Sequence, residues 1–447
     1  MSSLDTGALP RRIGLWSAIA IVVGSMIGSG IFRSPAGIAT RLPGPLPMIS
    51  VWIVAGIFAL CGALTLAEVA SALPRTGGLF VFLREGWGRL TAFLFGWSEL
   101  VIIRAAGLGA ISLTFAQYAV RVFGLDPAVA PYDDYARWLA AGAIAFTATM
   151  NIVGVRWGAA ITGVTTIAKF GGLLIIIMFA FAVGLPQTGG HFTPAVPPGS
   201  FSIAPFGLAL VSTLWAFDGW ADLSFAAGEV ENPQRNLPRA LIGGTLAVLA
   251  IYLLANMAYL AVLPIGEITQ SRLVAADVAQ AVIGAGGVVF VSATVMISTF
   301  GTCNTVLLTT PRIFFAMADD GLFFRQVAAV HPKFKTPYVA IGLAAILGII
   351  FVLLRTFEQL ADTFVTAIIP FYALAVASVF PLRRRPDLKP SFRVPLYPVV
   401  TALFILSTIL LLGNAIVDES SRWGTLGVMG AILAGIPVYY LTVGRKR

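Results

Sequence analysis

Of the 447 residues, 58% are hydrophobic and 11% charged, and the mean hydropathy is +0.91. Several runs reach 18 or more residues almost without charge, which excludes a soluble globular protein and reads as an all-α polytopic membrane protein set in a lipid bilayer. The net charge of +9 then reports which loops carry Lys and Arg, so no nucleic-acid partner is expected.

Arg11 and Arg12 precede a long apolar segment, and no small-residue cleavage site follows a short one, so no cleavable signal is read. About twelve spanning helices follow, near 15–40, 46–71, 90–122, 136–154, 159–184, 203–230, 239–263, 285–316, 337–355, 360–381, 396–417 and 423–443. The N-terminus, the even-numbered loops and the C-terminus hold 20 of the 29 Lys and Arg, among them Arg75, Arg84, Arg89, Arg312, Arg325, Lys333, Lys335, Arg383, Arg384, Arg385 and the run 445–447. The odd-numbered loops and adjacent helix ends hold 6 (Arg41, Arg121, Arg137, Arg272, Arg355, Arg422), while Arg33, Arg104 and Lys169 fall inside spans. This bias places both termini in the cytoplasm.

The first span contains Gly24-Ser25-Met26-Ile27-Gly28-Ser29-Gly30-Ile31-Phe32. Each glycine costs a helix about 1 kcal/mol against Ala. In lipid, freed backbone groups cost more unless something polar takes them up. A break here lines a water-filled cavity, and the N–H groups opening the second half-helix favour an anion such as a carboxylate. The alternative is close helix packing through the small residues of Gly24-x-x-x-Gly28.

The sixth span carries Trp215-Ala216-Phe217-Asp218-Gly219-Trp220, with an acid and a glycine at mid-depth, which is costly unless they face a cavity or a partner. Asp218 lies 190 residues after Gly28, and each opens a group of five spans, 15–184 and 203–381; residues 1–14 precede them, and two further spans over 396–443 fall outside the repeat. An odd number of spans per repeat forces opposite orientations. Interrupted helices at matching positions of inverted halves point to the midplane site of a secondary transporter.

On these residues the chain resembles the amino acid–polyamine–organocation superfamily of permeases, and within it the bacterial relatives of the L-type amino-acid exchangers. The likeness covers most of the chain. Besides the two breaks it includes Leu66-Ala67-Glu68, Leu73-Pro74-Arg75-Thr76-Gly77-Gly78, Glu229-Val230-Glu231-Asn232-Pro233, Asn236-Leu237-Pro238 and Phe392-Arg393-Val394-Pro395-Leu396-Tyr397-Pro398. The resemblance implies a leucine-transporter-like fold of two inverted five-helix repeats in a bacterial plasma membrane. A zwitterionic amino acid is then held with its carboxylate on the N–H groups around Gly28, Ser29 and Gly30, beside Ile27. Its ammonium rests on carbonyls near Met26 and over Trp215, Ala216, Phe217, Asp218 and Gly219. Trp215 matches the aromatic that shuts over the substrate; packing is its alternative, and Trp220 fits packing.

Lys169 sits mid-way along the fifth span, too deep to snorkel easily, so it pairs with something or deprotonates. The resemblance places it where sodium-coupled relatives hold the ion, touching the break of the first span and hydroxyls of the eighth, which offers Ser298, Thr299 and Thr302. Sodium-independent transport is therefore expected, with Lys169 either a fixed charge or a proton carrier. Asp218 has two readings: selection of cationic substrates, or local capping of the second half-helix. Glu68 is read as pairing with a loop Arg. Glu99 and Arg104, five residues apart, do not share an α-helical face and are expected to hold separate partners. Arg33 fits an extracellular gate or a headgroup contact, and Tyr259 either a gate facing the site or ordinary packing.

His191 and His331 lie in loops, no metal-ligand spacing occurs, and no phosphate-binding Gly-x-x-x-x-Gly-Lys-Ser/Thr loop is present, so neither cofactor nor metal is expected. An intramembrane enzyme needs a His-activated nucleophile or a carboxylate pair at depth, and no His lies in a span. A channel needs a filter or rings of charge, and neither is visible. The chain reads as a transporter, by amino-acid exchange, with proton-coupled symport or a polyamine or cationic amino-acid permease as alternatives. Cys61 and Cys303 both lie in spans, so no disulfide-linked partner subunit is expected.

Overall fold

The computed structural model describes residues 11–75, 77–153, 158–319, 321–324, 326–327, 329–334 and 336–443, with side chains for all of these except 158–168, 309–312, 315, 316 and 319. The Arg445–Arg447 run, Arg325, Lys335, Thr76 and the Arg312 side chain, used in the reading above, lie outside them.

The described chain runs through α1 (Leu15–Met26), α2 (Ser29–Arg41), α3 (Pro45–Ala72), α4 (Leu79–Trp87), α5 (Arg89–Ser98), α6 (Arg104–Val122), α7 (Tyr132–Val153), α8 (Gly158–Phe179), α9 (Ile203–Phe217) and α10 (Pro233–Val262). It continues with α11 (Val274–Ile283), α12 (Ala285–Asp319), α13 (Tyr338–Leu354), α14 (Phe357–Ala377), α15 (Val399–Val417), α16 (Arg422–Leu433) and α17 (Gly435–Thr442). Among the described residues, ten helices are long and apolar enough to cross a membrane, or eleven when the bent pair α1–α2 counts as one span. The expected ninth span, α13, is an apolar helix of 17 residues. At 1.5 Å per residue it reaches about 26 Å, near the lower limit for spanning hydrocarbon.

Without a hydrophobic force between helices in lipid, approach depends on small residues and shape. Gly56 of α3 illustrates it: a Cβ there would lie 2.3 Å from a Leu249 methyl of α10. α3 packs along α10, α6 along α12, α7 along α13, and α2 along α9. First pairs with sixth, second with seventh, third with eighth and fourth with ninth.

Glu99 and Arg104 correct the sequence reading. Five residues apart on an α-helix is roughly 140° of rotation at about 100° per residue, which separates the side chains. The third span instead widens into a π turn over Glu99–Ile103 between α5 and α6. The extra residue in that turn brings the two into register, and Arg104 Nε donates to Glu99 Oε2 at 2.5 Å. They are partners of each other.

At the end of the bundle that carries Arg12, backbone and ion pairs tie the elements together. Arg12 and Ile13 N–H groups both donate to the Glu229 carbonyl, and Glu231 N–H donates to the Ile13 carbonyl. Glu68 pairs with a loop arginine as expected: its buried carboxylate accepts two N–H groups of Arg383 at 2.7 Å each and the Val394 N–H at 2.7 Å. The Arg383 guanidinium lies 3.5 Å above the Tyr397 ring. Nearby, burial pushes the Glu85 carboxyl up, but Arg385, Arg84 and Arg75 outweigh it and hold it below the usual carboxylate range.

At the opposite end two arginines of α2 cross to α14. Arg33 is buried (3% exposed), which removes the headgroup reading. It donates to the Arg272 carbonyl at 2.5 Å and to Glu358 at 3.1 Å, with its guanidinium over Phe357. Arg41 pairs with Asp362 at 2.8 Å, bonds the Leu208 carbonyl, and shares Ser212, whose hydroxyl donates to the same Asp362.

Removing one partner of a buried pair strands the other. Arg383→Met is therefore expected to destabilise the protein by about 3 kcal/mol, the lower end of that range because Arg383 is a quarter exposed. Thermal unfolding of purified protein checks it, with the charge-swapped Glu68→Arg/Arg383→Glu chain expected to recover part of the loss.

Candidate functional site

The first span breaks where the glycines and serines predicted. α1 ends at Met26, Ile27 and Gly28 leave helical geometry, and α2 starts at Ser29 with its axis bent by 40°. No side chain caps the start of α2, so its first N–H groups, around Ser29 and Gly30, are left for something else. A Cβ built on Gly28 would meet nothing within 4 Å, whereas one on Gly30 would lie 2.4 Å from the Ala216 Cα. The break therefore has an open side at Gly28 and a side pressed against the sixth span at Gly30.

The sixth span breaks at the acid and glycine that the sequence marked. α9 ends at Phe217, Asp218 turns the chain at φ −59° and ψ 146°, and Gly219 takes φ +104°. The chain resumes over Asp222–Glu229 as a 3₁₀ helix, so the second half is a tighter element than the α-helix expected. Gly219 is required twice over: its φ lies in the left-handed region, and a Cβ there would sit 2.8 Å from the Ser25 backbone. Asp218 does not cap that second half. Its carboxylate accepts the Tyr372 hydroxyl of α14 at 2.7 Å.

Between the two breaks stands a residue the sequence reading missed. The buried Tyr252 hydroxyl of α10 lies 2.7 Å from the Met26 carbonyl and 2.8 Å from the Ala216 carbonyl. One O–H proton serves two acceptors, so the carbonyl pair keeps capacity for a further donor. Trp52 and Phe217 hold the ring edge-on at 5.4 and 5.1 Å. A signal was present: Tyr252, Asn256 and Tyr259 recur at four and three residues, one face of a helix. Tyr259 itself is fully buried and donates to the Ile31 carbonyl of α2 at 3.4 Å.

Trp215 lies on the Arg33 side of the break. Its ring packs edge-on against Phe364 at 5.0 Å and Phe357 at 6.3 Å. Its buried Nε1–H finds no partner among the described residues. Trp220 packs against Tyr372 and Phe404, as ordinary core.

Lys169 reaches the first break: Nζ donates to the Gly24 carbonyl at 2.5 Å, one of the groups freed near the end of α1. Among the described residues, no hydrogen bond joins Lys169 to the hydroxyls expected of the eighth span. Thr299 bonds back to Val295 and Met296, Thr302 bonds back to Ser298, and Ser298 Oγ is buried with no partner among the described residues. Each threonine spends its hydroxyl proton on the preceding turn of its own helix, while its oxygen keeps acceptor capacity that Lys169 does not use here.

Uncapped N–H groups, freed carbonyls and the Trp215 ring thus meet near the two breaks. That set matches a zwitterion, and the described residues hold no group of His, Cys, Asp or Glu placed to bind a metal ion.

Comparison with known proteins agrees with that chemistry. The sequence matches the model of an amino acid permease family over residues 13–436. It is 34% identical over 450 residues to a serine/threonine exchanger of Bacillus subtilis, covering all of both chains. It is 31% identical over 448 residues to the b(0,+)-type amino acid transporter 1 of Mus musculus, covering 100% of this chain and 90% of that one. Against the cystine/glutamate transporter of Homo sapiens it is 29% identical over 436 residues, 97% and 86% of the respective chains.

The geometry separates two glycine variants. Gly28→Ala meets no atom and is expected to leave the melting temperature unchanged while raising KM for transported amino acid about tenfold, or ~1.4 kcal/mol, by filling the open side of the break. Gly30→Ala strikes backbone and is expected to lower both thermal stability and transport. Thermal shift and vesicle uptake on each variant check the contrast.

Proposed function

This chain belongs to the amino acid permease family, and from that premise we propose that it exchanges amino acids across a membrane by alternating access around the breaks of its first and sixth spans. The observation that carries the site is the uncapped start of α2 opening on free space at Gly28.

In this reading the substrate carboxylate takes the N–H groups of Gly28, Ser29 and Gly30, where the half-helix dipole favours negative charge. The α-ammonium shares the Met26 and Ala216 carbonyls with the Tyr252 hydroxyl, and Trp215 closes over it. Asp218 already holds Tyr372 and stands in the field of Arg104, so it keeps the break in shape and substrates with uncharged side chains are favoured over cationic ones. Lys169 supplies a fixed positive charge against the carbonyls of α1, which makes a sodium ion unnecessary.

The pairing of spans one to four with spans six to nine is what a twofold axis in the membrane plane produces, and supports two inverted repeats over 15–184 and 203–381 with two further spans after them. The Lys and Arg bias supports cytoplasmic termini, and the match to a Bacillus subtilis exchanger over all of both chains supports a bacterial plasma membrane. Cys61 and Cys303 are both buried, and we read the chain as working without a disulfide-linked subunit.

Radiolabelled uptake into proteoliposomes in sodium-free buffer tests the proposal, with alanine, serine, leucine and arginine as substrates and putrescine as the carboxylate-free control. Uptake is expected only when the vesicles are preloaded with unlabelled amino acid, for serine or alanine before arginine, and not for putrescine. Proton-driven uptake into empty vesicles would make it a symporter, and putrescine transport alone would overturn the carboxylate site.

A further inference from the structure

The π turn of the third span is not explained by the binding geometry alone. It places Arg104, held by Glu99 at 2.5 Å, where its guanidinium is within electrostatic reach of Asp222 and Asp218. Both acids belong to the break of the sixth span: Asp218 ends α9 and Asp222 begins the 3₁₀ segment, with Gly219 between them. Asp222 also lies beside the Ser25 hydroxyl of α1, one residue before that helix ends. Ser25 keeps an exposed surface and both aspartates a partly exposed one, although all three belong to mid-span stretches. Lys169, the other cation at this depth, is engaged on the Gly24 carbonyl. One guanidinium is thus bonded to Glu99 and lies in the field of two further carboxylates on the sixth span.

We infer that Arg104 is a positioning residue for amino-acid exchange: it holds the turn between Asp218 and Asp222 against the first span, so that the peptide groups freed at both breaks face the substrate together. This rests on the breaks being the binding site. The mechanism is electrostatic and steric in sequence. Carboxylates at this depth without a cation repel one another and are costly to keep. Gly219 already sits against the Ser25 backbone with no room for a Cβ, so movement of either acid shifts the sixth break against the first. A planar, multi-donor guanidinium can bond Glu99 through Nε and still present its Nη groups elsewhere, which a lysine cannot. In an unbroken α-helix, position 104 would point away from Glu99, so the π turn is what makes the arrangement possible.

Serine exchange in proteoliposomes, normalised to incorporated protein, is read together with the serine-induced shift in melting temperature of the solubilised protein. Arg104→Gln is expected to raise KM about tenfold and to remove the serine-induced shift, and adding Asp222→Asn to bring KM back to within about threefold of the unmodified chain. Asp222→Asn alone, which keeps the cation, is expected to raise KM about threefold with the ligand-free melting temperature retained. A double variant as impaired as Arg104→Gln overturns the inference, as does Arg104→Gln with unchanged KM and only a lower ligand-free melting temperature. If Arg104→Gln does not yield folded protein, an unchanged KM in Asp222→Asn overturns it. Gly28→Ala, run alongside, separates the two readings: an unchanged KM there removes the binding site itself, whereas a raised KM there with no rescue removes Arg104 alone.

Discussion

Every peptide group in a membrane-spanning segment needs a partner, because hydrocarbon offers none. Most of this structure meets that requirement by unbroken helices. The first and sixth spans do not, and what surrounds them follows from that. Freed carbonyls of α1 and α9 take Lys169 at Gly24 and Tyr252 at Met26 and Ala216. The donors that open α2 have no cap. In the proposed reading, the carboxylate and ammonium of an amino acid complete the set.

The breaks are pressed together as well as polar. Gly30 against Ala216 and Gly219 against Ser25 leave no space for a Cβ at either contact. The two spans are therefore coupled as a unit, and their charged neighbours sit at either end of it. On one side Arg33 and Arg41 bind α2 to α14, above the stack of Trp215 on Phe357 and Phe364. On the other, Glu68 and Arg383 bind α3 to the segment that follows α14. An alternating-access cycle has to open one of these ends at a time, and ion pairs that cross between separately moving elements are suited to that because they can be exchanged for water. Pairs that stay within one element, such as Glu99 with Arg104, serve shape instead.

The sequence carried the spans, the break of the first helix and the unusual acid and glycine of the sixth, because each is a local violation of what lipid tolerates. A run of Gly and Ser in an apolar segment, or Asp218 and Lys169 at depth, is anomalous whatever surrounds it. The pairing of Glu68 with a loop arginine was legible for the same reason. Glu99 and Arg104 were misread, since α-helical periodicity was applied to a stretch that is a π turn. Nothing in Glu-Leu-Val-Ile-Ile-Arg announces the extra residue; packing of the third span selects it.

By itself, then, the sequence determined an all-helical membrane protein with two interrupted helices and intramembrane charges, since hydropathy, helix-breaking residues and charge cost are properties of short windows. Which groups those interruptions meet was decided only in three dimensions. Tyr252 is one aromatic among many until α10 lies across both breaks. Asp218 has no legible partner until α14 brings Tyr372 within 2.7 Å. The eighth-span hydroxyls and the carbonyls of the first span are both plausible partners for Lys169 until its Nζ is seen on the Gly24 carbonyl. Each of these depends on contacts between residues far apart in the chain, and long-range contact is the information a local pattern does not hold.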